Sequence, residues 1–92
     1  MAKAVITLKI MPESPDINLQ EIEKKALDEI NNFAGKTETK IEQEPVAFGL
    51  KALKIIFVMD EKQGSPDPVA EKIAQIEGVN SAEIVDVRRA IG

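Results

Sequence analysis

The sequence predicts an α+β fold, in which one four-stranded antiparallel sheet carries two helices on one of its faces. One segment alternates apolar and other residues as a half-buried strand does, three others have the composition of strands, and two carry apolar residues at helical spacing. These segments follow the order strand, helix, strand, strand, helix, strand, with prolines and glycines in the short connections. With 92 residues, 43% of them apolar, the chain is long enough for one modest core. We therefore predict a single domain spanning residues 1–92.

The first strand is predicted at residues 4–10, "AVITLKI", where one face is apolar throughout. Pro12 and Pro15 in the following "MPESPD" end it, because proline has no backbone N–H to donate.

An amphipathic helix follows this loop. Asn18 is its predicted N-cap, Glu21 is the reciprocal capping partner, and the helix ends near Gly35. Its apolar stripe consists of Leu19, Ile22, Ala26, Leu27, Ile30 and Phe33. Phe33, at the end of this stripe, is interpreted as a core residue.

Two strands and a corner occupy the middle of the chain. Residues 36–44 are β-prone but charged at nearly every second position, which is typical of a sheet edge. Residues 50–60 are the most hydrophobic segment and are apolar on both faces, since Ile56 and Val58 lie opposite the main stripe. This pattern predicts a central strand whose second face is partly covered.

The second half closes with a helix and a strand. Asp67 is the predicted N-cap of this helix, Pro68 takes its first position, and Gly78 closes it. Residues 81–87 form the last strand, followed by "RRAIG". The complete order predicts a ferredoxin-like βαββαβ sandwich.

The composition excludes several classes of function. The chain has no cysteine and no histidine, which removes thiol catalysis, zinc–thiolate sites and His-based triads. A net charge of −4 and the absence of Trp and Tyr argue against binding nucleic acid directly. No signal peptide is evident, and the longest apolar run, "IIFVM", is too short to span a membrane. We expect a cytoplasmic protein.

Phe48, in the corner "PVAFG" between the two middle strands, has no obvious structural purpose. Turns usually carry small polar residues, and Gly49 already supplies conformational freedom. Phe48 either folds back as a lid over the open end of the core, which is the commoner fate of such a residue, or anchors a partner protein.

Two further segments contain residues that the predicted fold alone does not require. Arg88 and Arg89 are the chain's only arginines and stand side by side near its end. They are either a solvated basic tail or a source of one cation that reaches a site holding phosphates or a metal ion. The rigid acidic loop "MPESPD" is a contact surface or simply a connection. Since the chain contains no phosphate-binding glycine loop and no obvious acid–base pair, it is expected to act on another protein.

Three segments, "KIMPESPD", "EPVAFGLKALK" and "IEGVNSAEIVDVRR", make the chain resemble the archaeal elongation factor 1-beta family of guanine-nucleotide exchange factors. The middle segment is the most specific and is similar to the Pro-x-Gly-Phe/Tyr-Gly-Ile-Lys-Lys-Leu segment of the eukaryotic exchange domain. The resemblance covers essentially the whole chain. It implies a ferredoxin-like fold and nucleotide exchange on elongation factor 1-alpha, the GTPase that delivers aminoacyl-tRNA. It also implies no cofactor and no covalent chemistry, so the chain is not expected to be an enzyme.

The resemblance also implies site residues. The family's aromatic docks against the GTPase and corresponds here to Phe48, within a partner-binding segment of Pro45, Val46, Ala47, Phe48, Gly49 and Lys51. The family's near-terminal lysine, which intrudes on the magnesium and phosphate site, corresponds to Arg89, with Arg88 beside it. Arginine keeps the charge but is bulkier and planar. The tail is also longer than the family's, since Ala90, Ile91 and Gly92 follow.

Two other functions remain open. A ligand-binding or regulatory ferredoxin-like module would act as a homodimer, with the second apolar face of residues 50–60 in its favour. An acylphosphatase-like enzyme would need an arginine in the loop after the first strand, and "MPESPD" has none.

Overall fold

The computed structural model describes residues 3–90 and confirms the predicted order of elements. The elements are β1 (Lys3–Pro12), α1 (Leu19–Ala34), β2 (Thr39–Pro45), β3 (Lys51–Asp60), α2 (Asp67–Ala74) and β4 (Val79–Ala90). A tight turn, Ala47–Gly49, precedes β3, and a single turn of 3₁₀ helix, Glu61–Gln63, follows it.

The four strands form one antiparallel sheet in the order β2-β3-β1-β4. β1 pairs with β3 from Lys3↔Asp60 to Ile10↔Leu53, and with β4 on its other side. The prediction of a charged edge strand and a central apolar strand is therefore confirmed for β2 and β3, and so is the ferredoxin-like architecture.

The core lies between the sheet and the two helices. Every second residue of β1 and β3 is buried there, because side chains alternate across a strand. The buried residues that meet in this core are Ile6, Leu8, Ile10, Leu53, Ile55, Phe57 and Met59 from the sheet, and Ile22, Ala26, Ile30, Val69, Ala70 and Ile73 from the helices. Phe33 packs against this cluster and is half-buried, which confirms its interpretation as a core residue.

The first helix has the predicted ends. The Asn18 side chain caps α1 by accepting a hydrogen bond from the Gln20 N–H at 3.0 Å, so the predicted N-cap is confirmed. At the other end, Gly35 has a φ of 78° and donates its N–H to the carbonyl of Asn31. Glycine suits this position because the left-handed region costs it nothing.

The prediction for α2 is wrong by one residue at its start. Pro66 is the N-cap and Asp67 is already helical, and the Ser65 hydroxyl accepts the Asp67 N–H at 3.1 Å. The helix also ends at Ala74, before the predicted Gly78. Gly78 instead has a φ of 94° in the turn that leads into β4.

The strands β1 and β4 are both longer than predicted. β1 continues through Pro12, which pairs with Val79 at a register shift, and proline is tolerated at such an irregular strand end. β4 runs to Ala90 because the first residues of β1 supply its partners, beginning with Lys3↔Ala90. A bulge opposite Thr7 and Leu8 interrupts this outer strand, which discourages pairing of its edge with other chains.

The second face of the sheet is only partly covered, as predicted. Ile56 and Val58 are half-buried there, with Thr7 and Val5 of β1 as their register partners. Within residues 3–90, neither helix is long and apolar enough to cross a membrane.

Two adjacent isoleucines of β3 provide a test of this packing. Ile55→Ala removes a fully buried side chain and should lower the free energy of unfolding by about 2–5 kcal/mol. Ile56→Ala, on the half-buried face, should lower it clearly less. Urea unfolding of both variants measures the difference, and equal losses would contradict the assignment of the two faces.

Candidate functional site

A tight hairpin connects β2 and β3 and carries the predicted aromatic residue. Pro45, the last residue of β2, pairs with Lys51, the first residue of β3. Beyond this pair, the Val46 N–H donates to the Leu50 carbonyl at 2.8 Å, and the Leu50 N–H donates to the Ala47 carbonyl at 3.3 Å. These bonds fix the backbone on both sides of the tip.

Phe48 stands at the tip of this hairpin and projects into solvent. Its residue surface is 92% exposed. Its backbone lies in the left-handed region, with φ 63° and ψ 30°, and no other non-glycine residue described by the structure has a positive φ. For a bulky residue this conformation costs about 1–2 kcal/mol. The interpretation of Phe48 as a lid over the core is therefore wrong.

The residues beside Phe48 share its unusual backbone and its exposure. Gly49 follows with a φ of 74°, so two successive residues lie in the left-handed region. Pro45, Ala47, Gly49 and Lys51 are exposed, whereas Val46 is half-buried. The predicted partner-binding segment is therefore exposed at every position except Val46.

An ion pair braces the hairpin on the open face of the sheet. The Lys54 ammonium lies 2.5 Å from a carboxylate oxygen of Glu44. Their hydrogen bond lowers the pKa of Glu44 and raises that of Lys54. The pair links β2 to β3 close to the hairpin that carries Phe48.

The two arginines belong to β4 and are not part of a tail. Arg88 pairs with Val5 and Arg89 with Ala4, so they point to opposite faces of the sheet, as neighbours on a strand must. The prediction that the strand ends at residue 87 is wrong, because β1 offers backbone partners up to Lys3. The remaining tail residues, 91 and 92, lie outside the described part of the chain.

Each arginine binds a carboxylate while remaining largely exposed. Arg89 donates from Nε to Oε1 of Glu61 at 2.6 Å and from Nη2 to Oε2 at 3.0 Å, which makes the contact bidentate. Arg88 donates from Nε to Oδ2 of Asp86 at 3.0 Å. The side chain of Arg89 is 71% exposed, and that of Arg88 is 79% exposed.

Glu61 is the residue that sequence reasoning missed. It follows the last residue of β3, and it is 28 positions away from Arg89 along the chain. The hydrogen bond from Arg89 holds the pKa of the Glu61 carboxyl below its usual value of 4.5 and raises the pKa of Arg89. Only the pairing of strands through β1 brings the two side chains together, so no sequence motif signals the contact.

The structure does not bring the two predicted sites together. The Phe48 hairpin precedes Lys51, whereas Arg88 and Arg89 lie beside the end of β3 at Asp60. Nine residue steps along β3 separate the two ends by about 30 Å. The loop "MPESPD" lies at the Phe48 end, because β1 runs antiparallel to β3.

The contact between Glu61 and Arg89 predicts a pH dependence of stability. Because the pKa of Glu61 is lower in the folded chain than in the unfolded one, its ionised form stabilises the fold above about pH 4.5, and this contribution is lost as the pH falls through the lowered pKa. We expect wild type to melt slightly above Glu61→Gln near neutral pH, and this difference to disappear as the pH falls through the lowered pKa of Glu61. Thermal unfolding of both proteins from neutral to acidic pH measures the difference. Exposed Glu71 on α2 supplies the control variant Glu71→Gln, and a pH-independent difference for Glu61→Gln would contradict the prediction.

Comparisons with known proteins point in one direction. The family model described as the EF-1 guanine nucleotide exchange domain matches residues 5–90. The chain is 40% identical over 89 residues to elongation factor 1-beta of Methanothermobacter thermautotrophicus and 44% identical over 89 residues to that of Methanobrevibacter smithii. Each match covers 97% of this chain and 98% of the relative. Elongation factor 1-beta of Pyrococcus horikoshii is 45% identical over 83 residues, which is 89% of either chain.

A solved structure supports the fold independently. The chain called "De novo designed protein Foldit4" superimposes with a TM-score of 0.63 at 15% sequence identity, and the match covers 98% of each chain. At this identity the likeness concerns the fold alone, so the family rests on the sequence matches. On those matches, this chain belongs to the EF-1 guanine nucleotide exchange domain family.

Proposed function

We propose that this chain is a guanine-nucleotide exchange factor that promotes GDP release and GTP reloading on translation elongation factor 1-alpha during protein synthesis. Membership of the exchange-domain family supports the activity. The observation that carries the site is Phe48, which is 92% exposed on a hairpin that holds it in an unfavourable backbone conformation. Such strain persists only where the surroundings enforce it, and it is concentrated at functional sites.

The exchange mechanism follows from linkage between two binding equilibria. A factor that binds the nucleotide-free GTPase more tightly than the GDP-bound form must weaken GDP binding by the same ratio. The factor therefore needs contacts that form only, or best, with the empty GTPase. It makes and breaks no covalent bond itself.

Phe48 supplies affinity at one end of the molecule. An exposed aromatic ring on a rigid support loses little conformational freedom when it enters a pocket, and aromatic anchors carry much of the energy of protein interfaces. The ordered backbone at Val46 and Leu50 means that the hairpin needs no folding on binding. Pro45, Ala47, Gly49 and Lys51 would surround the ring in the same interface.

Arg89 supplies charge at the other end. A guanidinium placed close to the magnesium and phosphate site of the GTPase would compete electrostatically with the metal ion that holds GDP. Arg88 points to the opposite face of the sheet from Arg89, so the two cannot approach the same point together. Because β3, which is about 30 Å long, separates the Phe48 hairpin from Arg89, the GTPase would contact the factor along its length.

The whole chain, residues 1–92, would act as one exchange domain in the cytoplasm, with no cofactor and no contact with nucleic acid or a membrane. A homodimeric ligand-binding module has only the half-buried Ile56 and Val58 on the open face in its favour. It would leave the exposed Phe48 without a role.

Replacement of the aromatic ring tests the first contact. Phe48→Ala should leave the melting temperature nearly unchanged, because the ring contacts solvent, and should slow factor-stimulated GDP release about tenfold or more. The measurement is release of a fluorescent GDP analogue from elongation factor 1-alpha, with and without the chain.

Val85, an exposed apolar residue in the middle of β4, offers a matched control. Val85→Ala removes apolar surface elsewhere and should leave GDP release unchanged. Unchanged release by Phe48→Ala would remove Phe48 from the mechanism.

Replacement of the cation tests the second contact. Arg89→Ala should lower the rate of GDP release by a larger factor than it lowers affinity for the nucleotide-free GTPase, since the charge acts where the metal and phosphates lie. Titration calorimetry with nucleotide-free GTPase gives the affinity, and the release assay gives the rate. Arg88→Ala is the matched control. If Arg88→Ala had the effect and Arg89→Ala did not, the correspondence of the family's lysine with Arg89 would be wrong by one residue.

A further inference from the structure

We infer that Glu61 holds Arg89 in a parked, autoinhibitory position in the free factor, and that the GTPase gains access to Arg89 only when this contact opens. The inference rests on the proposed function of Arg89 and adds a residue that controls it. Both guanidinium nitrogens that face the carboxylate, Nε and Nη2, are occupied, at 2.6 and 3.0 Å. Arginine binds phosphate with the same pair of parallel donors, so Glu61 fills the position that a phosphate would take.

The fold builds this contact from three strands. Arg89 pairs with Ala4 of β1, and Ala4 pairs with Met59 of β3, two residues before Glu61. The turn that presents Glu61 is fixed at both ends. The Asp60 side chain accepts the Lys62 N–H at 2.9 Å, and the Gln63 side chain donates to the Phe33 carbonyl at 2.5 Å.

Arg88 shows that the arrangement is particular to Arg89. Arg88 contacts Asp86, two residues back on the same strand, through Nε alone. A contact of this kind is local and needs no tertiary structure. The bidentate contact of Arg89 instead joins two residues that are 28 positions apart in the chain, and it involves the arginine to which the proposed function gives the charge at this end.

The contact is suited to opening because it lies at the surface. The side chains of Arg89 and Glu61 are 71% and 31% exposed, so water replaces the lost hydrogen bonds when the pair separates. Exposed ion pairs are worth little, and a bidentate pair lies toward the upper end of their range. A competent state that is only fractionally populated weakens apparent affinity by that fraction. Parking of Arg89 should therefore weaken engagement about two- to fivefold.

Parking of Arg89 affects the half-maximal factor concentration but not the maximal rate of exchange. Parking exists only in the free factor, so it raises the factor concentration needed for half-maximal exchange. It should not change the maximal rate, because Arg89 has already left Glu61 in the complex. A purely structural role for Glu61 would instead lower the maximal rate, and the loss of stability would exceed the small decrease expected from an exposed ion pair.

The test is a titration of elongation factor 1-alpha loaded with a fluorescent GDP analogue. Glu61→Gln should lower the half-maximal factor concentration about two- to fivefold and leave the maximal release rate unchanged. Glu71→Gln makes the same change in net charge on the exposed face of α2 and should have no effect. An unchanged or higher half-maximal concentration for Glu61→Gln, or the same decrease for Glu71→Gln, would overturn the inference.

A double-mutant cycle identifies the route of the effect. In the Arg89→Ala background, Glu61→Gln should change nothing, since there is no guanidinium to release. An effect that persists there would mean that Glu61 acts through its own charge, which overturns the inference. In the free wild type, the Arg89 Nε–H should exchange with solvent more slowly than in Glu61→Gln, as NMR can measure, and equal exchange would also overturn it.

The same experiment separates failure of the inference from failure of the proposed function. If the wild-type chain does not accelerate GDP release, or if Arg89→Ala releases GDP as fast as wild type, the proposed function of the chain or of Arg89 fails, and the inference falls with it. If both hold and Glu61→Gln leaves the half-maximal concentration unchanged, only the inference is overturned.

Discussion

The antiparallel pairing of β1 with β3 is the constraint on which the rest of the structure depends. It places one apolar face of both strands, including Ile6, Leu8 and Phe57, under the helices, where each such side chain contributes about 1.5–3 kcal/mol by burial. The same pairing fixes what stands at either end of the sheet. The Phe48 hairpin lies at one end and Arg89 at the other, so the length of β3 sets the distance between them.

The core and the Phe48 hairpin are held by different interactions. Within the described residues, no polar or charged side chain is buried, and the core is held by apolar contact alone. The unfavourable backbone at Phe48 is supported by this sheet, because Pro45↔Lys51 and the bond from Val46 to Leu50 close the hairpin below it. A stable sheet can therefore hold one strained, exposed residue in a fixed orientation.

The ion pairs of this protein can separate at a small cost in free energy. The ion pairs at Lys54, Arg88 and Arg89 all lie at the surface, where water competes for each partner. A buried pair would be costly to separate, because each ion would be left without a partner in a medium of low dielectric constant. At the surface, Arg89 can separate from Glu61 with little loss of free energy, which is what the role proposed for Arg89 requires.

Periodicity, caps and composition are local properties, so they predict the order of elements, the two helices, the central position of residues 50–60 and an unusual residue at Phe48. They did not determine that Phe48 faces solvent, that β4 continues through Arg88 and Arg89, or that Glu61 holds Arg89. The start of α2 differs from the prediction by one residue, which is the usual uncertainty of a helix end. Tertiary structure decided the rest, since strand pairing supplies backbone partners and side-chain contacts between residues far apart in the chain, and no pattern along a single segment records them.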